Sequence, residues 1–218
     1  MNFSAFIYTF KDVLSKHPLP GPQAQQRMAS DFYKDKRIDP ANITGYKKSA
    51  VCLLLYEKNQ TPHFILIRRP DTHRFHAGQI ALPGGSCEPN ETYEQTALRE
   101  LHEETGLQIE PQNILGRISP LYIPVSNFYI QPVVACTLQP LHFKPSREVE
   151  EIIEFSLTSL LDESILSETE VTASGNMKLK TPYFKVQGFV LWGATAMLLS
   201  EVKELLKEQR ATFSFLFQ

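Results

Sequence analysis

Three glutamates in the stretch RELHEET, residues 99–105, are the side chains best suited to chemistry: Glu100, Glu103 and Glu104. On a helix, at 100° per residue, Glu103 lies about 60° to one side of Glu100 and Glu104 about 40° to the other. Like charges at such spacings repel by roughly 0.2–0.5 kcal/mol per pair. A hard divalent cation removes this repulsion and takes oxygen ligands. The cluster therefore indicates a metal site, with a solvated acidic helix face as the alternative.

Two features of the surrounding sequence favour the metal site. No Lys or Arg follows any of the three glutamates at the i+4 position, as a face built for ion pairing would show. The stretch is also preceded by a Pro-Gly-Gly turn and by a loop that carries Glu88 and Glu91.

The helix that must carry the glutamates is predicted over residues 92–105. Thr92 and Gln95 have the spacing of a capping box, and Gly106 stands where a left-handed glycine ends a helix. An apolar stripe that would pack this helix on a core is formed by Ala97, Leu98 and Leu101.

The remaining elements interleave strands with helices, which predicts an α/β or α+β fold built in layers around a mixed sheet. Helices are predicted within residues 3–14 and 193–209, and a break at Pro83-Gly84-Gly85. Apolar runs predict strands at 48–56, 63–69, 79–82, 114–119, 128–138, 151–155, 177–186 and 189–192.

Length and composition bound the function. The 218 residues suit one domain at 45–210, after an amphipathic helix and connector at 1–30 and before an apolar tail at 211–218. The net charge of −2 gives no indication that the protein binds nucleic acid or an anionic membrane. No apolar run is long enough to span a membrane, and the start lacks a basic n-region. Three unpatterned cysteines favour a reducing compartment, so a cytoplasmic location is expected.

The tail ATFSFLFQ is unusually apolar for a chain end. It is expected to pack on something, and a second subunit in a homodimer is one possibility.

From Gly85 the chain reads GSCEPNETYEQTALRELHEETGL, residues 85–107. This stretch resembles the Nudix box, G-x5-E-x7-R-E-U-x-E-E-x-G-U with U aliphatic, at every defined position. The resemblance implies an α/β/α sandwich around a mixed β-sheet. It also implies an enzyme that hydrolyses a nucleoside diphosphate linked to a moiety X.

The same resemblance implies roles for the residues of the box. Glu100, Glu103 and Glu104 would hold Mg²⁺ or Mn²⁺, with the backbone carbonyl of Gly85 as an additional ligand. Gly84 and Gly85 would be glycines because no side chain may block that approach.

Two further residues of the box would support the carboxylates. Arg99 would hold them in place by charge-assisted hydrogen bonds, with a plain surface ion pair as the alternative. Glu91 would tie the loop to the helix or join the metal network, with a simple contact to the dipole at the helix N-terminus as the alternative.

The general base is expected to be one of the glutamates, with Glu100 the choice within the box. A glutamate of a later loop serves in several family members, and SREVEEIIEF offers three. Glu151 is taken as the supporting residue, with Glu148 and Glu150 as the other candidates and a solvated acidic turn as the alternative.

The segment ILIRRPDTHRFHAGQIALPGG, residues 65–85, resembles the signature of the coenzyme A diphosphatase branch of the family. This sequence departs from the signature at Ile67, Pro70 and Leu82. The signature is matched at Leu66, Arg69, Arg74, Gly78, Pro83, Gly84 and Gly85. Residues 181–199 resemble the C-terminal segment of the same branch. The implied substrate is coenzyme A or a derivative, cleaved to 3′,5′-ADP and a 4′-phosphopantetheine product.

Coenzyme A carries several phosphates and therefore needs cations beyond the metal. Arg69 and Arg74 are the expected substrate contacts, whereas Arg68 points to the opposite face of its strand. Two histidines and four aromatics stay open between substrate contacts and ordinary surface or core positions. They are His73, His76, Tyr122, Phe128, Tyr183 and Phe184.

Two alternatives remain. One is a Nudix diphosphatase for ADP-ribose or another nucleotide. The other is a Nudix-like sensor that binds nucleotides without cleaving them, against which the intact box and the short segment after Trp192 both argue.

Overall fold

A computed structural model describes residues 2–34, 44–71, 77–173 and 177–217. The helices are α1 (Phe3–Lys16), α2 (Gly21–Gln26), α3 (Asp31–Lys34), α4 (Tyr93–Thr105), α5 (Leu157–Leu161) and α6 (Gly193–Glu208). The first strands are β1 (Lys47–Lys58), β2 (Thr61–Arg68), β3 (Ile80–Ala81), β4 (Gly84–Ser86), β5 (Ile114–Arg117) and β6 (Leu121–Ile123). They are followed by β7 (Phe128–Cys136), β8 (Glu151–Ser156), β9 (Leu166–Ala173), β10 (Met177–Val186) and β11 (Phe189–Leu191). Short 3₁₀ turns lie at Pro111–Asn113, Glu163–Ile165 and Ser214–Phe217.

The main sheet is mixed. Its central path runs β3-β2-β1-β7-β5, with β4 added on β1, β6 on β7 and β8 on β2. β1 and β7 pair in parallel, with Lys47 opposite Phe128. The other pairs of this sheet are antiparallel, and β9, β10 and β11 form a separate antiparallel sheet.

Alternating side chains of β1 separate the core into two layers. Cys52 and Leu54 belong to the cluster that holds α4 against one face of the sheet. Leu53 and Leu55 belong to the larger cluster on the other face, to which α1, α5 and α6 contribute. Because apolar residues face both ways, helices cover both sides of the strand. The predicted α/β/α sandwich around a mixed sheet is confirmed.

The helix predicted at 92–105 is α4, and its ends form as the local sequence dictates. The Thr92 hydroxyl accepts from the Gln95 N–H at 3.2 Å, and the Gln95 side chain accepts from the Thr92 N–H at 2.8 Å. Gly106 ends the helix at φ 75°, the left-handed region that favours glycine. Ala97 and Leu101 are fully buried, so the glutamates are fixed in rotation about the helix axis.

The predicted break at Pro83-Gly84-Gly85 is wrong in part, because Gly84–Ser86 is strand β4, antiparallel to β1. The two backbones approach so closely that a Cβ on Gly84 would collide with Ala50 and Val51. The glycines therefore permit the pairing rather than interrupt it.

The connector predicted after the first helix is also wrong in part, since it contains α2. Gly21 redirects the chain at φ 60°, and Pro22 occupies the first turn, where its missing N–H costs nothing. Sequence reasoning also missed α3, α5, β6 and β9.

The apolar tail packs within the same chain. Phe213 is fully buried, and its ring lies 5.7 Å from that of Phe6 in an edge-to-face arrangement. The tail thus covers α1, the amphipathic helix predicted near the start of the chain, and both pack on the core of the domain. Its apolar character gives no reason to invoke a second subunit.

Of the helices in the described ranges, none has both the length and the apolar character needed to cross a bilayer.

Candidate active site

Glu104 stands at the centre of the site and is 3% exposed. The backbone N–H of Gly84 donates to its Oε2 at 2.9 Å. The Nη2 of Arg69 lies 3.6 Å from its Oε1. The last turn of α4, the start of β4 and the end of β2 therefore meet at one carboxylate.

Arg99 joins the other carboxylates of the box. Its Nη1 donates to Glu100 at 2.9 Å and to Glu103 at 3.0 Å. Its Nε donates to Glu91 at 2.7 Å, and its Nη2 donates to the Ser86 carbonyl at 3.1 Å. One guanidinium thus binds the loop, β4 and two neighbouring glutamates of α4.

Glu91 ties the loop to the helix. Besides Arg99, it accepts from the Thr96 hydroxyl at 2.7 Å and from the Glu88 N–H at 2.9 Å. The hydrogen bonds from Arg99 lower the pKa of Glu91 to about 2. Glu91 therefore stays ionised and holds Arg99 in position.

Gly85 lies directly against Glu100. A Cβ at Gly85 would collide with the Glu100 carboxylate. The Gly85 carbonyl accepts from the Ser49 hydroxyl at 2.6 Å, which fixes its direction. Glycine is required here because the carboxylate occupies the space of a side chain.

Burial makes two of the glutamates weaker acids than usual. It raises the pKa of Glu100, against hydrogen bonds from Arg99 that lower it. It raises the pKa of Glu104 to about 7, against the Gly84 N–H and Arg69. The negative charge of Glu148 adds to both shifts. Two arginines thus leave the negative charge of the buried cluster incompletely compensated.

These residues suit a hard divalent cation in their chemistry. The donor set is carboxylate oxygens with one backbone carbonyl, and Glu104 at the centre lacks full compensation. Within the described ranges, no group of three or more His, Cys, Asp or Glu side chains is arranged so that it could hold a metal ion as it stands. Arg99 draws Glu100 and Glu103 towards itself, so a bound cation would compete with Arg99 for these carboxylates.

The three later glutamates divide into two groups. Glu148 follows Ser146, whose N–H donates to the Glu104 carbonyl at 3.2 Å, so this loop is attached to the end of α4. Glu150 and Glu151 instead approach Arg68, at 3.9 and 3.5 Å. The structure brings the charge of Glu148 to the cluster, whereas it places Glu151, the expected supporting residue, in an ion pair on β8.

The two neighbouring arginines point apart, as the strand predicts. Arg69 faces Glu104, whereas Arg68 pairs with acidic residues and lies over the Phe189 ring at 5.6 Å. Arg74, His73 and His76 fall outside the described residues.

The four aromatics left open by the sequence take different positions. Phe184 is a core residue, and the Tyr122 hydroxyl donates to Asn127 at 2.8 Å. Tyr183 is half-buried on β10. Phe128 lines a cleft beside the carboxylates.

This cleft has a volume of about 390 Å³ and begins at Arg69, Gly84 and Gly85. Its far walls come from 30–33 and from 192–198, at opposite ends of the chain. Sequence reasoning gave neither segment a role in binding. Their approach depends on tertiary packing. No local motif marks 30–33, and the resemblance of 181–199 to the coenzyme A branch does not by itself indicate that 192–198 forms a wall of a cleft.

A comparison with family models matches residues 45–172 to the NUDIX domain. The chain belongs to the Nudix family of hydrolases, which act on phosphoric anhydrides. Nudix hydrolases generally need a divalent cation, and the carboxylate cluster of α4 lies inside the matched region.

Two relatives and one solved structure illustrate the match. Nudix hydrolase NudL of Photorhabdus laumondii is 30% identical over 169 residues, 76% of this chain and 88% of that protein. Mitochondrial coenzyme A diphosphatase NUDT8 of Homo sapiens is 32% identical over 60% of this chain and 57% of that protein. The NUDIX domain of Shewanella oneidensis NrtR, solved with ADP ribose, is 17% identical, and its TM-score is 0.50. The match covers 82% of this chain and 99% of that chain, and it supports the fold alone.

Proposed function

We propose that this chain is a divalent-cation-dependent diphosphatase for coenzyme A or its derivatives. Cleavage gives 3′,5′-ADP and a 4′-phosphopantetheine product. The narrower substrate rests on the resemblance of residues 65–85 to the coenzyme A branch and on the similarity to a coenzyme A diphosphatase.

The observation that carries the proposal is the position of Arg69. This guanidinium, 24% exposed at its side chain, lies 3.6 Å from the central carboxylate and lines the adjoining cleft. A substrate diphosphate at the carboxylate cluster would find there a cation with a fork of donors that suits phosphate oxygens. Arg69 is also one of the positions at which the branch signature is matched.

The chemistry is a displacement at phosphorus. The oxygen of one water forms a bond to phosphorus, and the bond from that phosphorus to the bridging oxygen breaks. A carboxylate takes the water proton, and we assign this role to Glu100, which lies against Gly85 at the mouth of the cleft.

Mg²⁺ or Mn²⁺ held by Glu100, Glu103, Glu104 and the Gly85 carbonyl would neutralise the diphosphate and lower the pKa of a bound water. Arg99 and Glu91 would position these ligands. Gly84 would do so through its hydrogen bond to Glu104.

The test compares turnover of coenzyme A and ADP-ribose by purified protein with Mg²⁺ or Mn²⁺. We expect a higher kcat/KM for coenzyme A, with both products identified by mass spectrometry. A clear preference for ADP-ribose would refute the narrower substrate and leave the Nudix diphosphatase in place. Metal-dependent binding of either compound without cleavage would instead favour a sensor.

A further inference from the structure

The cleft beside the carboxylates has walls that lie outside the matched NUDIX domain. That match ends at residue 172 and begins at residue 45. Ser30 and Tyr33 on one side and Trp192, Ala194 and Met197 on the other line the cleft nonetheless. The cleft is thus shaped in part by segments outside the matched domain, and the C-terminal one lies within residues 181–199, which resemble the C-terminal segment of the coenzyme A branch.

A buried carboxylate fixes these two walls to each other. Glu201 of α6 is fully buried and accepts from the Gly21 N–H at 3.2 Å and from the Gln25 side chain at 2.8 Å. The adjacent Ser200 hydroxyl donates to the Ala24 carbonyl at 2.7 Å. The N-terminal wall is therefore held on α6 by buried hydrogen bonds, and the cleft has a defined width.

The lining of the cleft is mostly apolar. Aliphatic and aromatic side chains cover much of it, among them Val51, Leu82 and Phe128. Arg69 is the only Lys or Arg among the described residues that line it, and no Asp or Glu does. An occupant of this space is therefore expected to be largely uncharged, with its charged end at Arg69.

A few hydrogen-bond donors interrupt the apolar lining. Helix α6 begins here at Gly193 without a side-chain cap, so the N–H groups of its first turn have no partner inside the helix. Ser30, 4% exposed, lines the same cleft, and its hydroxyl has no hydrogen-bond partner among the described residues. Such donors suit the carbonyl oxygens of an amide-containing chain.

We propose that the cleft holds the pantetheine arm of the substrate, and that the nucleoside half lies on the other side of the carboxylates. This inference rests on the proposed function. The arm is uncharged and partly aliphatic, carries two amides, and ends in the phosphate that would meet Arg69. The nucleoside half of coenzyme A carries an additional phosphate, for which the described part of the cleft offers no second Lys or Arg side chain.

The test fills the cleft and measures each half of the substrate separately. Ala194, in the first turn of α6, lines the cleft, whereas Ala5, in the first turn of α1, is exposed. Ala194→Phe and Ala5→Phe are therefore the same change in matched helical positions. Binding of 4′-phosphopantetheine and of 3′,5′-ADP is measured by titration calorimetry with Mg²⁺ present.

We expect Ala194→Phe to weaken binding of 4′-phosphopantetheine by about tenfold or more, because a hydrophobic pocket discriminates single methylenes by similar factors. Binding of 3′,5′-ADP should change by less than about twofold, and Ala5→Phe should change neither. Loss of 3′,5′-ADP binding alone, loss of neither, or no binding of 4′-phosphopantetheine by the wild type would overturn the inference.

Two measurements keep the outcomes separate. If Ala194→Phe does not fold, as judged by circular dichroism, Ala81→Leu at the half-buried rim of the cleft takes its place. Turnover of coenzyme A by the wild type is measured independently. If the wild type cleaves coenzyme A but Ala194→Phe weakens binding of 3′,5′-ADP and not of 4′-phosphopantetheine, only the placement of the arm is refuted. If the wild type does not cleave coenzyme A, the proposed function is refuted.

Discussion

The backbone N–H of Gly84 donates to the carboxylate of Glu104 across 2.9 Å, joining the strand before the Nudix helix to its last turn. The two residues stand at opposite ends of the segment that carries the proposed catalytic side chains. A substitution that moves one of the two residues is therefore expected to displace the other. The proposed metal ligands form one structural unit with the backbone of β4.

Neutralising the glutamates of this unit should abolish hydrolysis. We expect Glu103→Gln and Glu104→Gln each to lower kcat by on the order of 100-fold or more, because the cation would lose a charged ligand. The fold should persist, since a glutamine oxygen can still accept from the Gly84 N–H. Steady-state kinetics over a range of Mg²⁺ concentrations, with circular dichroism, measure both effects.

Glu110→Gln provides the control, because Glu110 is exposed and lies beyond the helix. Near-normal turnover of both box variants would refute the metal role.

A methyl group at Gly85 should reduce activity by displacing Glu100. The added Cβ would occupy the position of the carboxylate, so Gly85→Ala should lower kcat/KM by roughly tenfold or more. Cys87→Ala is the control, since Cys87 lies two residues further along the chain and does not line the cleft. Equal kinetic effects of the two alanines would contradict the steric argument.

Removing the Arg69 side chain should weaken substrate binding and leave the stability of the fold unchanged. Arg69→Ala should raise the KM for coenzyme A by about tenfold, the scale of one charge-assisted contact to phosphate. Arg68→Ala should instead lower thermal stability and leave KM unchanged, because Arg68 pairs with Glu151. A KM that responds to Arg68 and not to Arg69 would reverse the assignment.

The later glutamates can be separated by kinetics. Glu148 adds negative charge to the cluster, whereas Glu151 approaches Arg68 at 3.5 Å. We expect Glu148→Gln to lower kcat and Glu151→Gln to leave kcat within about twofold, because a group must reach the reacting atoms to transfer a proton. A drop in kcat for Glu151→Gln alone would restore Glu151 as the supporting residue.

Glu91 should contribute to stability above acidic pH. Its pKa falls from 4.5 to about 2 on folding, so its contribution is fully present above about pH 4.5 and is lost as the pH falls through about 2. Glu91→Gln should lower the free energy of unfolding at pH 7 by on the order of 2 kcal/mol. Urea denaturation at pH 7 and pH 3 measures this, and an equal loss at both would show that the ionised carboxylate is not responsible.

Helix α4 could be predicted closely because its signals are local. Thr92, Gln95 and Gly106 act within their own turns, and the resulting boundaries agree with the structure. Strand β9 was missed because it belongs to a sheet separate from the main one and carries five polar or acidic residues, Ser167, Glu168, Thr169, Glu170 and Thr172. Its pairing with β10 stabilises it more than its own pattern indicates.

The candidate site divides in the same way. The contacts of Arg99 with Glu91, Glu100 and Glu103 follow from the spacing of one motif. The cleft does not follow from a motif, because Ser30 and Ala194 line the same cleft only when α2 packs on α6. The proposed position of the pantetheine arm therefore depends on long-range packing, whereas the proposed substrate class rests on the short pattern at residues 65–85.

The parallel pairing of β1 with β7 has a consequence for the order of folding. Helix α4 lies in the crossover between these two strands, which brings Lys47 opposite Phe128. Closing so long a loop is slower than forming the β1–β2 hairpin. The reason is that the conformational entropy of the loop is lost before the contacts between β1 and β7 form. During refolding, the carboxylate cluster should therefore assemble in the last cooperative step, and catalytic activity should return together with the final burial of the core rather than with the early helices.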